Sequence, residues 1–175
     1  IHLTTNWLSG LDLTTYIEGD KVVFDDRGSG TVLLSNTVSP SSVNISNSAV
    51  NYVIQGTGQI TPLAGLTKIG SGTATLNVPG IYSVSTVVSN GTLSLGANQT
   101  FANLAGNGTV STASGAPTVT VNNTANTTFS GSLQGALGLT TSGSGTLDLT
   151  GASTFAGHLF ENSGTVIIDS GAVGV

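Results

Sequence analysis

The side chains with the clearest chemical potential lie close together near the amino-terminal end of the chain. Asp20, Asp25 and Asp26 supply carboxylate oxygens, with Glu18 nearby, and Ca²⁺ prefers oxygen ligands of this kind. These three aspartates are therefore the candidate calcium ligands, although their spacing matches neither an EF-hand loop nor a repeated calcium motif. The alternative interpretation is a set of solvated charges that pair with the basic residues of the same segment.

Three further acidic residues, Asp148, Glu161 and Asp169, lie about one coil apart in the sequence. Glycoside cleavage needs two carboxyl groups held at a set separation in a cleft. Stacked coils would align some of these acids on one face, and parallel β-helices include polysaccharide-cleaving enzymes. This is the leading enzymatic alternative. Such sites usually also need basic residues, and Lys68 is the one basic residue outside the amino-terminal segment.

Nucleophilic catalysis finds little support in the residue types. The two histidines, His2 and His158, are far apart in sequence, and the chain has no Gly-x-Ser-x-Gly turn that would expose a serine nucleophile. Cysteine is absent, which excludes thiol chemistry and cysteine-based metal sites. We therefore expect no catalytic residues and no cofactor.

The composition excludes several classes of protein. Only 6% of the residues are charged, against about 25% in a typical soluble domain. The 38% of hydrophobic residues separates the chain from disordered sequences. Three basic residues against eight acidic ones argue against nucleic-acid binding, which needs a cationic surface. No apolar run is long enough for a transmembrane helix, which takes about 20 residues.

A repeated phrase indicates which elements position these side chains. Gly-Ser-Gly-Thr occurs at Gly28–Thr31, Gly70–Thr73 and Gly143–Thr146, and alternating apolar residues follow each copy. Weaker Gly-Thr copies set a period of about 18–19 residues, with a degenerate boundary near Val121–Asn123. A repeat of this length indicates one corner-and-strand unit that is stacked many times, about one coil apart.

The rest of the pattern is typical of strands. No long window has helical periodicity, and the abundant glycines and β-branched residues weaken helices. The sequence predicts an all-β fold, a right-handed parallel β-helix (β-solenoid) of about 7–9 coils. Residues 1–60 hold most of the charges and the single Trp, and they are predicted to form an amino-terminal cap or assembly segment with the first coils. Residues 61–175 are predicted to form the solenoid repeats of one continuous domain.

Two segments resemble a known repeat family. Gly143–Gly157 followed by Asn162–Ile168, and Leu66–Leu76 followed later by Asn90–Leu95, are similar to the autotransporter-associated β-strand repeat of bacterial surface proteins. The resemblance covers about residues 60–170. It departs from the pattern where Thr141-Ser142 replaces the usual lysine, which is present at Lys68. The resemblance implies a secreted parallel β-helix whose repeats are structural and carry no catalytic residues.

These observations together predict a non-enzymatic extracellular structural protein, on the bacterial cell surface or secreted. It would act as a stalk or passenger segment, or as a self-assembling filament subunit. The expected partners are further copies of the chain or neighbouring repeats of the same polypeptide. An adhesin that binds a surface glycan or a host receptor, and the polysaccharide-cleaving enzyme, stay open as alternatives.

Overall fold

The structure, a computed structural model, describes residues 7–9, 11–61 and 65–169. These residues form strands joined by turns and bends, and they include no helix and thus none that could cross a membrane. The strands in chain order are β1 Trp7–Ser9, β2 Asp12–Thr14, β3 Lys21–Phe24, β4 Thr31–Leu34, β5 Ser42–Ile45, β6 Tyr52–Gly56, β7 Gly65–Lys68, β8 Thr73–Leu76, β9 Gly80–Tyr82, β10 Thr86–Val88, β11 Thr92–Leu95, β12 Gln99–Ala102, β13 Leu104–Ala105, β14 Thr109–Thr112, β15 Thr118–Asn123, β16 Thr127–Phe129, β17 Ser132–Gly135, β18 Gly138–Gly143, β19 Thr146–Leu149, β20 Thr154–Phe155, β21 Leu159–Glu161 and β22 Thr165–Ile168.

From β3 onward the strands stack in three parallel faces. The first face contains β3, β5, β7, β10 and β13, and a bridge between Gly106 and Phe129 continues it into β16, β19 and β22. The second face is a seven-stranded sheet from β4 to β20. The third face contains β9, β12, β15, β18 and β21, and bridges from Ile60 to Val38 and to Gly80 extend it backward. The predicted parallel β-solenoid is confirmed, with about 7 turns.

Each turn brings residues about 20 positions apart into register. The shortest step pairs Thr92 with Thr109, and one of the longest pairs Ser42 with Gly65. The predicted period lies within this range. Insertions and deletions are absorbed at the corners, since the strands themselves stay in parallel register.

The interior is a set of apolar columns that run along the axis. Strand residues alternate between buried and less buried positions, as in the buried–intermediate repeats of β5, β8 and β19, because successive side chains point to opposite faces of a sheet. One column stacks Val22, Val43 and Leu66 through the first three turns. The buried residues join into a single core that extends from Tyr16 to Phe155.

The repeated phrase marks a corner followed by a strand, but it does not always mark the same corner. Gly28–Thr31 and Gly70–Thr73 lead from the first face to the second, into β4 and β8. Gly143–Thr146 instead leads from the third face to the first, into β19. Its counterpart one turn earlier is Asn123–Asn126, since Asn123 pairs with Gly143 and Thr127 pairs with Leu147. This is the degenerate boundary that the spacing predicts near Val121–Asn123.

An antiparallel hairpin covers the amino-terminal end of the core. β1 pairs with β2, and the indole of Trp7 lies 6.2 Å from the Tyr16 ring and 5.7 Å from the Phe24 ring. Phe24 in turn lies 5.2 Å from Tyr52 in the second turn. These aromatic contacts close the end of the apolar column and leave a cavity of about 30 Å³ beneath them. A capping role for residues 1–60 stays a prediction.

Gly70→Ala tests the close approach of successive corners. A methyl group at Gly70 would overlap the main-chain carbonyl of Asn47 in the previous turn. We therefore expect the free energy of unfolding to fall by at least about 1–3 kcal/mol. Gly65→Ala is the matched control, because its methyl group would lie 3.5 Å from Ser85 O, an ordinary contact. Urea unfolding that gives equal stability for the two variants would contradict this close stacking of the corners.

Candidate functional site

Asp25 and Arg27 form a local ion pair at the first corner. Arg27 Nη2 lies 2.7 Å from Asp25 Oδ2, and Arg27 Nε donates to the same oxygen at 2.9 Å. The Arg27 main-chain N–H donates to Asp25 Oδ1 at 3.0 Å. The Arg27 hydrogen bonds lower the pKa of the Asp25 carboxyl, and the carboxylate raises the pKa of Arg27. Both side-chain oxygens of this candidate calcium ligand therefore accept from one arginine.

Asp26 connects the first turn to the second. Its Oδ1 accepts the main-chain N–H groups of Ser48 and Ala49 at 2.8 Å and of Val50 at 3.0 Å. Successive N–H groups that converge in this way form a concave anion site. These three hydrogen bonds lower the pKa of the Asp26 carboxyl, and the bond from Val50 makes the largest contribution to that shift. The carboxylate thus stabilises the corner at Ser48–Val50, which contains no copy of the Gly-Ser-Gly-Thr phrase.

The third candidate ligand, Asp20, is also engaged locally, since its Oδ2 accepts the N–H of Ile17 at 2.9 Å. Across residues 7–9, 11–61 and 65–169, no group of three acidic or histidine side chains converges as a metal site. Asp25 pairs with Arg27, as the alternative interpretation expects, whereas Asp20 and Asp26 accept main-chain N–H groups. Calcium binding by these three residues stays a prediction.

The acidic residues proposed for glycoside cleavage lie on different faces. Asp148 is on β19 of the first face, where it stacks on Ile167. Glu161 is on β21 of the third face, in register with Thr141. Asp169 follows β22, and its N–H donates to Leu149 O at 3.2 Å. No two of these three carboxyl groups stack in register, so the alignment expected for a paired-carboxylate cleft is not present among them. His2 lies outside the described residues.

Lys68 is the unexpected side chain of the core. It occupies an apolar column between Ile45 and Val88 and is fully buried. Its ammonium group donates to the carbonyl oxygen of Gly70 and, at 3.3 Å, to that of Asn90. Gly91, with φ of +65°, provides the space, since a methyl group there would lie 2.8 Å from Lys68 Nζ. Burial lowers the pKa of Lys68 below its ordinary value of 10.5.

Buried asparagines bridge successive turns at two other corners. Asn47 Nδ2 donates to Thr73 O at 3.0 Å, and Asn123 Nδ2 donates to Thr146 O at 2.9 Å. Each amide therefore satisfies a main-chain carbonyl in the following turn. The sequence shows asparagine at these corners, but the burial of the side chains and their main-chain partners emerge only once the turns are stacked.

The outer surface of the third face carries a long shallow groove, which is the candidate binding site. Its first part is a depression of about 430 Å³, and a second depression of about 200 Å³ continues it toward β21. Both depressions share Thr118. The described residues that line the two parts are mostly small, hydroxyl-bearing or amide-bearing, with an apolar residue near each end: Gln59, Ile60, Pro79, Gly80, Ile81, Asn98, Gln99, Thr100, Ala116, Thr118, Thr120, Ala136, Gly138, Thr140, Gly157, His158 and Phe160.

Asp26→Asn is expected to destabilise the protein at neutral pH but not in strong acid. The lowered pKa means that the carboxylate contributes stability above the unfolded-state value of about 3.8, and that this contribution is lost as the pH falls through the folded-state value. Urea unfolding between pH 2 and 6 should show the two proteins converging at low pH. Asp12→Asn on the hairpin controls for the change in net charge. A difference that persists unchanged at the lowest pH would refute the role of the carboxylate.

Lys68→Met tests whether the buried ammonium group titrates below its ordinary pKa. With a lowered folded-state pKa, the unfolded chain binds more protons between that value and 10.5, so the stability of the wild type relative to the variant should rise with pH across this window. The slope is at most about 1.4 kcal/mol per pH unit. The free energy of unfolding of both proteins is measured from pH 7 to 10. Tyrosine residues also titrate in this range, but both proteins contain the same tyrosines, so their contribution cancels in the difference. A constant difference would contradict the expected shift.

Comparisons with protein-family models, with curated protein sequences and with solved structures each found no match for this chain. Any function proposed for the chain therefore rests on the geometry of the solenoid and on the sequence.

Proposed function

We propose that this chain is a rigid extracellular spacer, a β-solenoid segment that holds neighbouring parts of a surface protein at a fixed separation. The observation that carries the proposal is the uninterrupted stacking of the second face, in which seven strands pair in parallel from β4 to β20. At about 4.8 Å per strand, the six steps along this face span about 29 Å. The role needs no catalytic group.

The interior supports mechanical rigidity along the axis. The apolar core continues from Tyr16 to Phe155 without division into separate clusters, and corner side chains such as Asp26, Asn47 and Asn123 join consecutive turns. Each turn contacts its two neighbours, so bending the rod would break several hydrogen bonds at once. A solenoid of this kind transmits force along its length.

Two features of the sequence support the extracellular placement. The surface is wetted by hydroxyl and amide groups, since only 6% of residues are charged. The repeat pattern resembles that of secreted bacterial surface proteins. The hydrogen-bonded ladder holds the chain together without disulfide bonds, since the sequence contains no cysteine.

The proposed partner is a neighbouring repeat or a second copy, which would add at the last described turn. Ile168 is 38% exposed, whereas Leu149, its neighbour in register, is buried. On the third face, Leu159 is 40% exposed and stacks on the buried Leu139. Among the described residues, both stand at core positions on strands that pair on one side only, which suits pairing with a further strand.

A pair of spin labels tests the rigid spacer. Because the chain contains no cysteine, Val23→Cys and Thr128→Cys give two unique labelling positions on exposed sites of the first face. The two residues stand five turns apart along the stack, which predicts a separation of about 24 Å between their backbones. Pulsed electron paramagnetic resonance should give one narrow distance distribution. A broad or bimodal distribution would rule out a rigid spacer.

A second measurement tests whether the protein lies outside the cell, independently of whether it is rigid. An antibody raised against the purified protein should label intact cells that produce the natural gene product, with permeabilised cells as the positive control. Labelling that requires permeabilisation would show that the protein lies inside the cell, and the extracellular proposal would then be wrong.

A further inference from the structure

We propose that the groove on the third face binds a neutral glycan chain laid along the solenoid axis, an activity beyond that of a spacer. The inference starts from one outward-facing column. Ile81, Thr100, Thr120, Thr140 and Phe160 stack in register through five consecutive turns. Four steps of about 4.8 Å make this column about 19 Å long. A straight groove of this length suits an extended polymer better than a compact small molecule.

The chemistry of the groove floor matches the hydroxyl groups of a sugar. The middle of the column consists of Thr100, Thr120 and Thr140, and each hydroxyl both donates and accepts hydrogen bonds. Thr118 stands beside them, and its N–H donates to Asn98 Oδ1 at 2.9 Å. That bond fixes the Asn98 side chain at the groove wall through its amide oxygen. Because the hydroxyls recur at three consecutive turns, they fit a ligand whose polar groups also recur.

An apolar residue bounds the column at each end. Phe160 is 58% exposed, and its ring centre lies 5.7 Å from that of His158, with the two planes tilted by 48°. Ile81 at the other end is 45% exposed. Exposed aromatic rings are unfavourable in water and are enriched at binding sites, where they bury a large apolar area. The C–H faces of a sugar ring supply an apolar surface that packs on such a platform.

Charge selects among glycans. The described residues that line the groove are hydroxyl, amide, apolar and imidazole side chains together with small residues, while the chain as a whole has a net charge of −5. An anionic polysaccharide would be repelled by this net charge and would find no lysine or arginine among the described lining residues. The ligand class is therefore a neutral polysaccharide.

Affinity gel electrophoresis tests the proposal with defined probes. The full chain is run in native gels that contain laminarin, hydroxyethyl cellulose or galactomannan, with polygalacturonate as the anionic comparison. We expect retardation by at least one neutral polysaccharide and none by polygalacturonate. Retardation by polygalacturonate alone, or by none of the three neutral polymers, would overturn the proposal.

Two variants locate the binding surface. Phe160→Ala removes the exposed ring at little cost to folding and should weaken binding about tenfold, the effect of losing one aromatic anchor. Thr120→Glu places a bulky charge in the groove floor and should abolish retardation. The matched control is Thr92→Glu, at the corresponding half-buried position of the second face between Thr73 and Thr109.

The controls separate a lost site from a lost fold. Circular dichroism and melting temperature are recorded for all three variants, and Phe160→Ala carries the test if Thr120→Glu fails to fold. Binding that is unchanged in folded Phe160→Ala, or that is lost in folded Thr92→Glu as well, would place the site elsewhere and refute the proposal. The spin-label distances are independent of this outcome, so the spacer and the glycan site can fail separately.

Discussion

The structure depends on one distance, the strand spacing of about 4.8 Å that separates every pair of consecutive turns. Strands meet this distance through their hydrogen bonds, but the corners must meet it as well. At Gly70 and Gly131 a methyl group would overlap a carbonyl of the neighbouring turn. Glycine at the corners is therefore a requirement of the stacking, and the hydroxyl-rich surface follows from filling three flat faces with β-forming residues that water can wet.

The same spacing decides how polar groups are satisfied with so few charges. The corners bring carbonyl and N–H groups of two turns close together, and amide, carboxylate or ammonium side chains bond to these groups. Asp26, Asn47, Lys68 and Asn123 all bond to main-chain atoms of another turn or of their own corner. The polar groups of these four side chains are therefore used for cohesion of the stacked corners.

Local patterns predicted the strands well, because each strand is bounded by its own turn residues. The alternating residues that follow Gly28–Thr31, Gly70–Thr73 and Gly143–Thr146 were expected as strands and form β4, β8 and β19. The residues that share a surface could not be predicted. Thr100, Thr120 and Thr140 become neighbours only because each turn pairs residues about 20 positions apart. That spacing depends on the number of residues in each corner. The contact between Asp26 and the Ser48–Val50 amides, and the burial of Lys68, depend on the same long-range register.

The Gly-Ser-Gly-Thr phrase occupies two different corners, and this has a consequence for how such chains grow. The unit that it encodes is one corner and one strand, a third of the circumference. A duplicated segment therefore need not equal a whole turn to be accommodated. Its corner and strand take the next position around the solenoid, and the corners that follow complete the turn. Between Gly108 and Gly145 the phrase moves from the first corner to the last. Recombination between unequal segments can thus lengthen the solenoid while changing which side chains share a face.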